Sequence, residues 1–460
     1  MVTLDEEKIV ILGLARQGKA LARFFAAQGA EVTISDCRSA EELEADMAAL
    51  AGLPVRYELG GHPLSLLDGC DLLCISGGVP ADLPLVEEAR RRDIPVSNDA
   101  QEFLRRSPAL VVGITGSAGK TTTTSLVGEM VRAAGFRTWV GGNIGNPLID
   151  DLDVMRPEDR VVMELSSFQL ELMDVSPQIA GVLNITPNHL DRHRTMDAYI
   201  EAKANIVTHQ DVGDVAVLGY DNPNAHALAD RTLAQVRYFS GSAPVAEGAF
   251  LQDDGLVLRR DGVEREICQR DDVQLRGFHN LLNVLAAIVL ADAVQVPVEA
   301  MQQAIVDFTG VEHRLEVVGR YRDVVWVNDS IATAPERVLA ALEAFDEPLV
   351  LLAGGRDKDL PWEDFAQRVV GRVRVLILFG EARGLIAGEV QRARRQGEGD
   401  RILEAIIDVE TLEEAVAEAA RRSRPGDVVL LSPGGTSFDA FKDFAARGEY
   451  FRQLVEALEE

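Results

Sequence analysis

Residues 109–135, ALVVGITGSAGKTTTTSLVGEMVRAAG, contain the most specific motif of this 460-residue chain. A β-branched run predicts a strand that ends at Gly113, and a glycine-rich loop then leads to Lys120 and Thr121, which open a helix. In such a loop backbone amides bind nucleotide phosphates, the lysine reaches the β and γ oxygens, and the threonine hydroxyl ligates Mg²⁺. The strict Gly-x4-Gly-Lys-Thr pattern would need glycine where Ile114 stands. Because strand, loop, Lys-Thr and helix coincide, we expect ATP or GTP binding.

Strand-like and helical stretches alternate on both sides of this segment, which is typical of parallel α/β architecture. KIVILG and AEVTISD begin the series, and VVWVNDS, LVLLAGG, VRVLILFG and DVVLLSP form its last part. Residues 236–273 instead alternate around Gly/Asp turns and predict a small β-meander. At about 100 to 200 residues per domain, three domains are expected. We predict a Rossmann-like domain at 1–98, a central P-loop ATP-binding domain at 99–310 with a parallel sheet plus the meander, and a Rossmann-like domain at 311–460.

Composition excludes several classes of protein. The net charge of −28 repels phosphate backbones, so no nucleic-acid partner is expected. No stretch approaches the roughly 18 apolar residues of a membrane span, and the N-terminus is acidic where a signal peptide is basic. The 4 cysteines form no disulfide framework and suit a reducing compartment. We therefore expect a cytoplasmic protein with no membrane or nucleic-acid partner.

Lysine is rare in this chain. Only six of the 46 basic residues are lysine, and the rest are arginine. Whatever replaced lysine by arginine spared these positions, so some of them are expected to need an amine. The six are Lys8, Lys19, Lys120, Lys203, Lys358 and Lys442.

Chemically useful residues follow other predicted strands of the central domain. Glu164 ends the strand VVMEL, the usual position of an acid that holds Mg²⁺ beside a phosphate loop. His189 lies in the segment after the next strand, and Lys203 lies on a predicted helix. We interpret His193, close to His189, as a solvated loop residue.

The first glycine turn, LGLARQGKA, carries a weaker signal. Gly13 and Gly18 are present, but Ala15 stands where the dinucleotide fingerprint has glycine, so NAD binding is not favoured. Asp36 ends the next strand, where a ribose-binding acid would lie. These residues alone leave a structural turn and a nucleotide site equally open.

Ten motifs, in order along the whole chain, resemble the Mur ligase family of peptidoglycan synthesis. Two of them, ELSSFQLE and the SFDAFKDF segment, resemble its D-glutamate-adding branch in particular. The motifs are GITGSAGKTTT, GGNIGNP, ELSSFQLE, NITPNHLDRH, the AK of YIEAKANI, GFHNLLN, EHRLE, NDSIATAPE, GGRDK and LSPGGTSFDAFKDFAARG.

The resemblance implies an ATP-dependent amide-bond ligase that adds D-glutamate to UDP-N-acetylmuramoyl-L-alanine through an acyl phosphate. Such a step serves cell-wall biogenesis and so cell shape and division. Each stage builds negative charge on neighbouring oxygens, which calls for Mg²⁺ and cationic donors. The resemblance implies two Mg²⁺ ions and a CO₂-derived carbamate on Lys203, which an arginine could not form. The expected partners are ATP, glutamate and the UDP-sugar, and we expect a monomer.

The resemblance also implies roles for individual residues. The catalytic group would be Lys120, Glu164, His189 and Lys203. The metal ligands would be Thr121, Glu164, His189 and Lys203 as its carbamate. ATP would be bound by Gly113, Thr115, Gly116, Ser117, Ala118, Gly119, Lys120, Thr121, Thr122, Asn280, Arg314 and Asp329. The UDP-sugar would be bound by Arg16, Gln17, Cys37, Arg38, Ser76, Gly78 and Asn143. Glutamate would be bound by Thr333, Lys358, Ser437 and Phe444.

Some of these assignments have alternatives, since Gln17, Cys37 and Ser76 could equally be ordinary turn residues. The chain also departs from the family pattern. Ile331 stands in NDSIATA where a lysine is common, and Ala334 where an asparagine is common. Gly77 and Ala15 are further departures, in loops of the first domain.

Three other functions compete with this interpretation. An L-glutamate-adding ligase on the same UDP-sugar is the nearest, since the altered NDSIATA segment puts amino-acid selection in question. A folate-polyglutamating ligase shares the chemistry but lacks a separate domain before the phosphate loop. A non-catalytic nucleotide sensor would need only that loop, so the presence of Glu164, His189, Lys203 and Lys358 argues against it.

Overall fold

The computed structural model describes residue 4 and residues 7–358, 360–396 and 402–458. Its strands form three sheets of five, nine and six strands. Internal contacts divide the chain into two compact units, Met1–Val273 with Phe278–Phe308, and Gln274–Gly277 with Thr309–Glu460. The α/β class with mainly parallel sheets is confirmed, while the domain boundaries near residues 98 and 311 stay predictions. Nowhere in the described residues is a helix long and apolar enough to cross a membrane.

The five-stranded sheet is parallel throughout, in the order β3-β2-β1-β4-β5. Strand order reverses beside β1, so a crevice opens there at the carboxyl ends of the strands. The strands are β1 (Lys8–Leu12), β2 (Glu31–Asp36), β3 (Val55–Leu59), β4 (Leu72–Ile75) and β5 (Val96–Ser97), and the helices are α1 (Arg16–Ala27), α2 (Glu44–Ala48), α3 (Pro84–Arg91) and α4 (Asp99–Arg106).

The nine-stranded sheet has the order β14-β13-β12-β11-β10-β9-β6-β8-β7, and β6 lies inside it between β9 and β8. The strands are β6 (Leu110–Thr115), β7 (Thr138–Gly142), β8 (Arg160–Glu164), β9 (Ile179–Val182), β10 (Val215–Gly219), β11 (Gln235–Ser240), β12 (Gly248–Gln252), β13 (Gly255–Arg260) and β14 (Val263–Gln269). The helices are α5 (Lys120–Ala133), α6 (Ser167–Leu170), α7 (Leu190–His193), α8 (Met196–Thr208), α9 (Pro223–His226), α10 (Phe278–Ala293) and α11 (Val298–Asp307).

The predicted meander is shorter than residues 236–273. Strand β11 pairs in parallel with both β10 and β12, so it belongs to the main sheet. In the described part of this sheet, antiparallel pairing joins β12 to β13 and β13 to β14. Helix α10 is apolar around most of its surface and packs against α5 and strands β9 to β12, which carries its first turn to the phosphate loop.

The six-stranded sheet has the order β15-β16-β20-β17-β18-β19, and only the β15–β16 pair is antiparallel. Its central strands are buried and continuously apolar, as expected for a parallel sheet covered on both faces. The strands are β15 (Glu316–Tyr321), β16 (Val324–Asn328), β17 (Leu349–Gly354), β18 (Val373–Phe379), β19 (Ala405–Asp408) and β20 (Val428–Gly434). The helices are α12 (Pro335–Leu342), α13 (Glu363–Arg372), α14 (Arg383–Gln396), α15 (Leu412–Arg422) and α16 (Phe444–Glu456).

A buried polar cluster joins α4 to the turn at α6. Asn98 caps α4 by accepting from Gln101 N at 2.9 Å, and its Nδ2 donates to Gln169 O at 2.8 Å. Gln169 Nε2 in turn donates to Asp99 Oδ1 at 3.4 Å. Asp99 is buried, and this burial raises the pKa of its carboxyl to about 6.

Asp99→Asn is expected to stabilise the protein at neutral pH. The folded protein keeps the Asp99 proton up to a pKa of about 6, whereas the unfolded chain loses it near 3.8. Stability therefore falls as pH rises between these values, and above them the full penalty applies. We expect the variant to gain about 1–3 kcal/mol at pH 8 and almost nothing near pH 3. Urea unfolding at both pH values, with the exposed Asp153→Asn as control, measures this; equal gains at both would contradict it.

Candidate active site

The phosphate loop lies at the carboxyl end of β6. The strand ends at Thr115, two residues later than predicted, because its parallel pairing with β8 and β9 continues beyond Gly113. Gly113 therefore lies inside the strand, where a Cβ would be 2.5 Å from Cγ of Pro177. Close packing explains this glycine, and the loop proper begins at Gly116.

Two asparagines that sequence reasoning missed shape the loop. Asn184 O accepts from Ser117 N and Asn184 Oδ1 accepts from Ala118 N, both at 2.9 Å, so these amides face away from a phosphate. Gly119 has a φ of +85°, and a side chain there would overlap Oδ1 of Asn283. The amides left for phosphates are those in the first turn of α5, which have no intrahelical acceptor.

The predicted adenine residue Asn280 lies beside the same loop. Its Oδ1 accepts from Nδ2 of Asn283 at 3.0 Å, and Asn283 borders Gly119. Both asparagines belong to the GFHNLLN motif, one helical turn apart on α10. Thr122, another predicted ATP residue, is buried in the first turn of α5.

Two of the six lysines converge on one carbonyl. Lys120 Nζ donates to Gly116 O at 2.9 Å, and Lys203 Nζ donates to the same oxygen at 3.0 Å. Lys203 Nζ also donates to Thr115 Oγ1 at 3.1 Å. The predicted phosphate clamp and the predicted carbamate position therefore meet at the loop.

Lys203 has an environment that favours the neutral amine. The residue is 1% exposed, and its Nζ lies 4.9 Å from the ring centre of Tyr199. Burial lowers the pKa of Lys203 well below its usual value, and the neighbouring charge of Lys120 lowers it further. A neutral amine is nucleophilic, whereas an ammonium is not.

Glu164 and Thr121 form an oxygen pair beside the loop. Thr121 Oγ1 donates to Glu164 Oε2 at 2.8 Å, and Asn143 Nδ2 donates to Glu164 Oε1 at 2.8 Å. Glu164 is 2% exposed at the end of β8. A carboxylate and a hydroxyl in contact are hard oxygen donors of the kind Mg²⁺ prefers, so these residues fit the ion. Within the described residues, no group of three or more His, Cys, Asp and Glu side chains could hold a metal by itself.

The ELSSFQ turn packs against the histidine segment. Phe168 lies 5.2 Å from the ring of His189 and stacks on His193 at an interplanar angle of 3°. His193 Nε2 and Ser167 Oγ are 2.9 Å apart. The expectation of a solvated His193 is therefore wrong: the residue is buried, because the turn at α6 covers it. His189 is exposed, with a left-handed φ of 54°.

Several predicted UDP-sugar residues hold the loops of the first sheet together. Ser76 Oγ donates to Gly13 O at 3.0 Å, and Gln17 Oε1 accepts from Gly77 N at 2.8 Å. These bonds close the crevice rim at the carboxyl ends of β1 and β4. Gly78 borders open space.

Charged residues complete this rim. Arg38 donates to Asp36 through Nε at 3.0 Å and Nη2 at 2.9 Å, and these bonds hold the pKa of the Asp36 carboxyl far below its usual value. Cys37 between them is exposed. Arg16 donates to Gly145 O at 2.6 Å and to Asn143 O at 3.2 Å, which links the first turn to the GGNIG loop.

In the second unit, Asp329 follows the end of β16. Its Oδ2 accepts from Ser432 Oγ at 2.7 Å, and its Oδ1 accepts from Leu315 N at 3.3 Å. Burial raises the pKa of Asp329 to about 7, and the positive charge of Arg314 opposes that rise. Arg314 is therefore close to Asp329, as expected of two residues predicted to share a ligand.

Arg447 anchors this region and was missed from the sequence. It is 0% exposed, with Nε donating to Ser330 Oγ at 3.0 Å and Nη2 to Ser330 O at 2.9 Å. Its Nη1 donates to Gly435 O at 3.2 Å. One guanidinium thus ties the NDS turn to the loop after β20. Burial lowers the pKa of Arg447 to about 10.

The four predicted glutamate residues belong to separate segments of this unit. Thr333 N donates to Ile331 O at 2.9 Å in the turn before α12. Lys358 lies after β17 and is mostly exposed. The partial burial of its amine lowers its pKa, and the charge of Arg337 lowers it further. Ser437 is 1% exposed, and its hydroxyl has no hydrogen-bond partner in the part of the chain that the structure describes. Phe444 begins α16 and is partly exposed.

Three family profiles match the chain. They are the Mur ligase MurD-like N-terminal domain at residues 7–98, the Mur ligase middle domain at 114–291 and the Mur ligase glutamate ligase domain at 313–435.

Curated relatives match over almost the whole chain. The UDP-N-acetylmuramoylalanine–D-glutamate ligase of Symbiobacterium thermophilum is 43% identical over 98% of this chain and 98% of its own. The protein of the same name from Desulfitobacterium hafniense is 40% identical over 99% of this chain and 98% of its own.

Solved structures share the fold. The UDP-N-acetylmuramate–alanine ligase MurC of Thermotoga maritima has a TM-score of 0.57 and 20% identity, over 98% of this chain and 99% of its own. MurF of Acinetobacter baumannii has a TM-score of 0.57 and 16% identity, over 98% and 93%. The profiles cover most of the sequence, and the relatives are more than 30% identical over nearly its full length. The chain therefore belongs to the Mur ligase family.

Proposed function

We propose that this protein joins D-glutamate to UDP-N-acetylmuramoyl-L-alanine at the expense of ATP, in the cytoplasmic synthesis of peptidoglycan precursors. One observation carries the proposal most directly. Lys120 and Lys203 meet at the Gly116 carbonyl, next to the Thr121–Glu164 pair. Cations and hard oxygen donors grouped at a phosphate loop suit phosphoryl transfer to a carboxylate. The names of the relatives at 43% and 40% identity supply the substrates.

The reaction has two stages. A carboxylate oxygen of the alanyl group attacks the γ-phosphorus of ATP, the bond to the bridging oxygen breaks, and ADP leaves. The glutamate amine then attacks the acyl carbon of the acyl phosphate, loses a proton, and inorganic phosphate leaves as the amide forms. Negative charge grows on the phosphoryl oxygens in the first stage and on the former carbonyl oxygen in the second, so both stages need fixed positive groups.

The residues of the first unit would act on the phosphates. Lys120 and the first-turn amides of α5 would bind the β and γ oxygens. Thr121 and Glu164 would hold Mg²⁺, which when bound neutralises charge on those oxygens. His189 would be a further ligand. Lys203 would carry a carbamate, which turns a buried amine into an anionic oxygen donor, and its depressed pKa supports this because only the neutral amine adds to CO₂.

The remaining predicted residues would bind the organic parts of the substrates. The rim of the first sheet, with Ser76 and Gln17 tying its loops together, would receive the UDP-sugar. Asn280, Arg314 and Asp329 would contact the adenine nucleotide. Thr333, Lys358, Ser437 and Phe444 would bind glutamate. The buried Ser437 hydroxyl, which lacks a partner among the described residues, supports a polar ligand there.

The assay that tests this function follows the product. Purified protein with ATP, Mg²⁺, UDP-N-acetylmuramoyl-L-alanine and D-glutamate should yield a UDP-sugar heavier by one glutamyl residue, with one phosphate released per product. Omitting any one substrate should stop phosphate release. Phosphate release that needs no amino acid would instead favour a nucleotide-responsive protein.

A further inference from the structure

The NDSIATAPE turn lacks the cation that its family pattern predicts. Ile331 stands where the resemblance to the family implies a lysine, in the turn between β16 and α12. Its backbone is fixed at both ends, since its N–H donates to His313 O at 3.1 Å and its carbonyl accepts from Thr333 N at 2.9 Å. The position therefore belongs to a defined turn that has lost one positive charge.

A different cation reaches this turn from the next helix. Arg337 lies in the first turn of α12, and its Nη1 donates to Ile331 O at 3.3 Å. The guanidinium of a residue six positions further along the chain thus contacts the backbone carbonyl of Ile331, where the lysine is absent.

Neither the helix dipole nor an ion pair explains an arginine there. A positive charge in the first turn of a helix is unfavourable beside the helix dipole. No carboxylate in the described ranges lies within the 4 Å of an ion pair with Arg337, although many other arginines of the chain form such pairs. The side chain is exposed, so its charge is available to a ligand.

The positive charge of Arg337 lowers the pKa of two predicted site residues, Lys358 and Asp329. Burial is the largest cause of the lowered pKa of Lys358, and the charge of Arg337 is the second. That charge also opposes the burial-driven rise in the pKa of Asp329. Arg337 and Lys358 are thus neighbouring cations, and glutamate carries two carboxylates that each favour a cationic partner.

We propose that Arg337 replaces the missing lysine and binds one carboxylate of the glutamate substrate, while Lys358 binds the other. This assignment rests on the proposed function. A guanidinium offers two parallel N–H donors to a carboxylate, so it can serve where a lysine would act as a single point charge. The departure at Ile331 is then a relocation of the cation along the turn rather than its loss.

Steady-state kinetics of Arg337→Gln test the assignment. We expect KM for D-glutamate to rise about tenfold or more, as for loss of one charge-assisted carboxylate contact, with KM for ATP and for the UDP-sugar within about twofold of wild type. Arg337→Lys should recover part of the affinity, and the double variant Ile331→Lys with Arg337→Gln should recover most of it. Arg421→Gln, which removes an exposed arginine from α15, should change none of these constants.

The outcomes distinguish a failure of the Arg337 assignment from a failure of the proposed function. If wild type turns over D-glutamate and Arg337→Gln leaves KM for glutamate within twofold, or raises KM for ATP instead, the assignment is wrong while the proposed function stands. If wild type does not turn over glutamate, both the assignment of Arg337 and the proposed function are wrong. Recovery by a lysine at position 331 would support the assignment specifically, since a merely structural role of Arg337 could not be restored from that position.

Discussion

Lys203→Arg is expected to lower kcat by about a thousandfold or more while the protein stays folded. The buried site around Lys203 favours a neutral amine, and the proposed carbamate needs one. Arginine keeps its proton, cannot form the carbamate, and would bring a permanent charge next to Lys120. The loss of one anionic ligand at the phosphates is comparable with other losses of electrostatic stabilisation in transition states, about 10²–10³-fold each, and the added repulsion increases it.

The matched control is Lys8→Arg, the same chemical change at an exposed lysine that begins β1, at the opposite end of that strand from its carboxyl end. Thermal unfolding should show both variants folded. Carbon-13 NMR of protein equilibrated with labelled bicarbonate should show a carbamate signal in wild type and in the control, but not in Lys203→Arg. Near-normal activity of Lys203→Arg would refute the carbamate.

Glu164→Gln is expected to lower kcat about 10²–10³-fold and to raise the Mg²⁺ concentration that gives half-maximal rate. Glutamine has the same size: its Oε1 can still accept from Asn143 Nδ2, and its Nε2 can donate to Thr121 Oγ1, so both contacts can persist with the second one reversed. What disappears is the negative charge that would hold the cation. A Mg²⁺ titration of the initial rate separates this effect from misfolding.

Glu158→Gln serves as the control for this variant, since Glu158 is exposed and precedes β8, at the opposite end of that strand from Glu164. It should match wild type in rate and in Mg²⁺ dependence. If Glu164→Gln lowered the rate without changing the Mg²⁺ dependence, its carboxylate would not be a metal ligand.

Local sequence patterns predicted most of the fold and part of the site. The phosphate loop, the strand that ends at Glu164 and the helix that carries Lys203 each depend on residues close together in the chain, so their periodicity and turn chemistry are visible in the sequence. Even so, β6 ends two residues later than its local sequence predicts, because pairing with β8 and β9 extends it. The predicted meander is also too long, because β11 pairs in parallel with β12 and so belongs to the main sheet.

The residues that were missed act through distant contacts. Asn184 reaches Ala118 across 66 positions, and Arg447 reaches Ser330 across 117. No local pattern distinguishes such an asparagine or arginine from a surface residue. His193 was misjudged because the turn that buries it, at Ser167, lies 26 positions away.

D-glutamate ligation can be tested by an assay of the purified protein with each glutamate enantiomer. ATP, Mg²⁺ and UDP-N-acetylmuramoyl-L-alanine would be supplied at saturation, and the product would be identified by mass. We expect a product with D-glutamate and a rate with L-glutamate lower by at least about a hundredfold. Turnover with L-glutamate alone would contradict the claim and favour the L-glutamate-adding alternative.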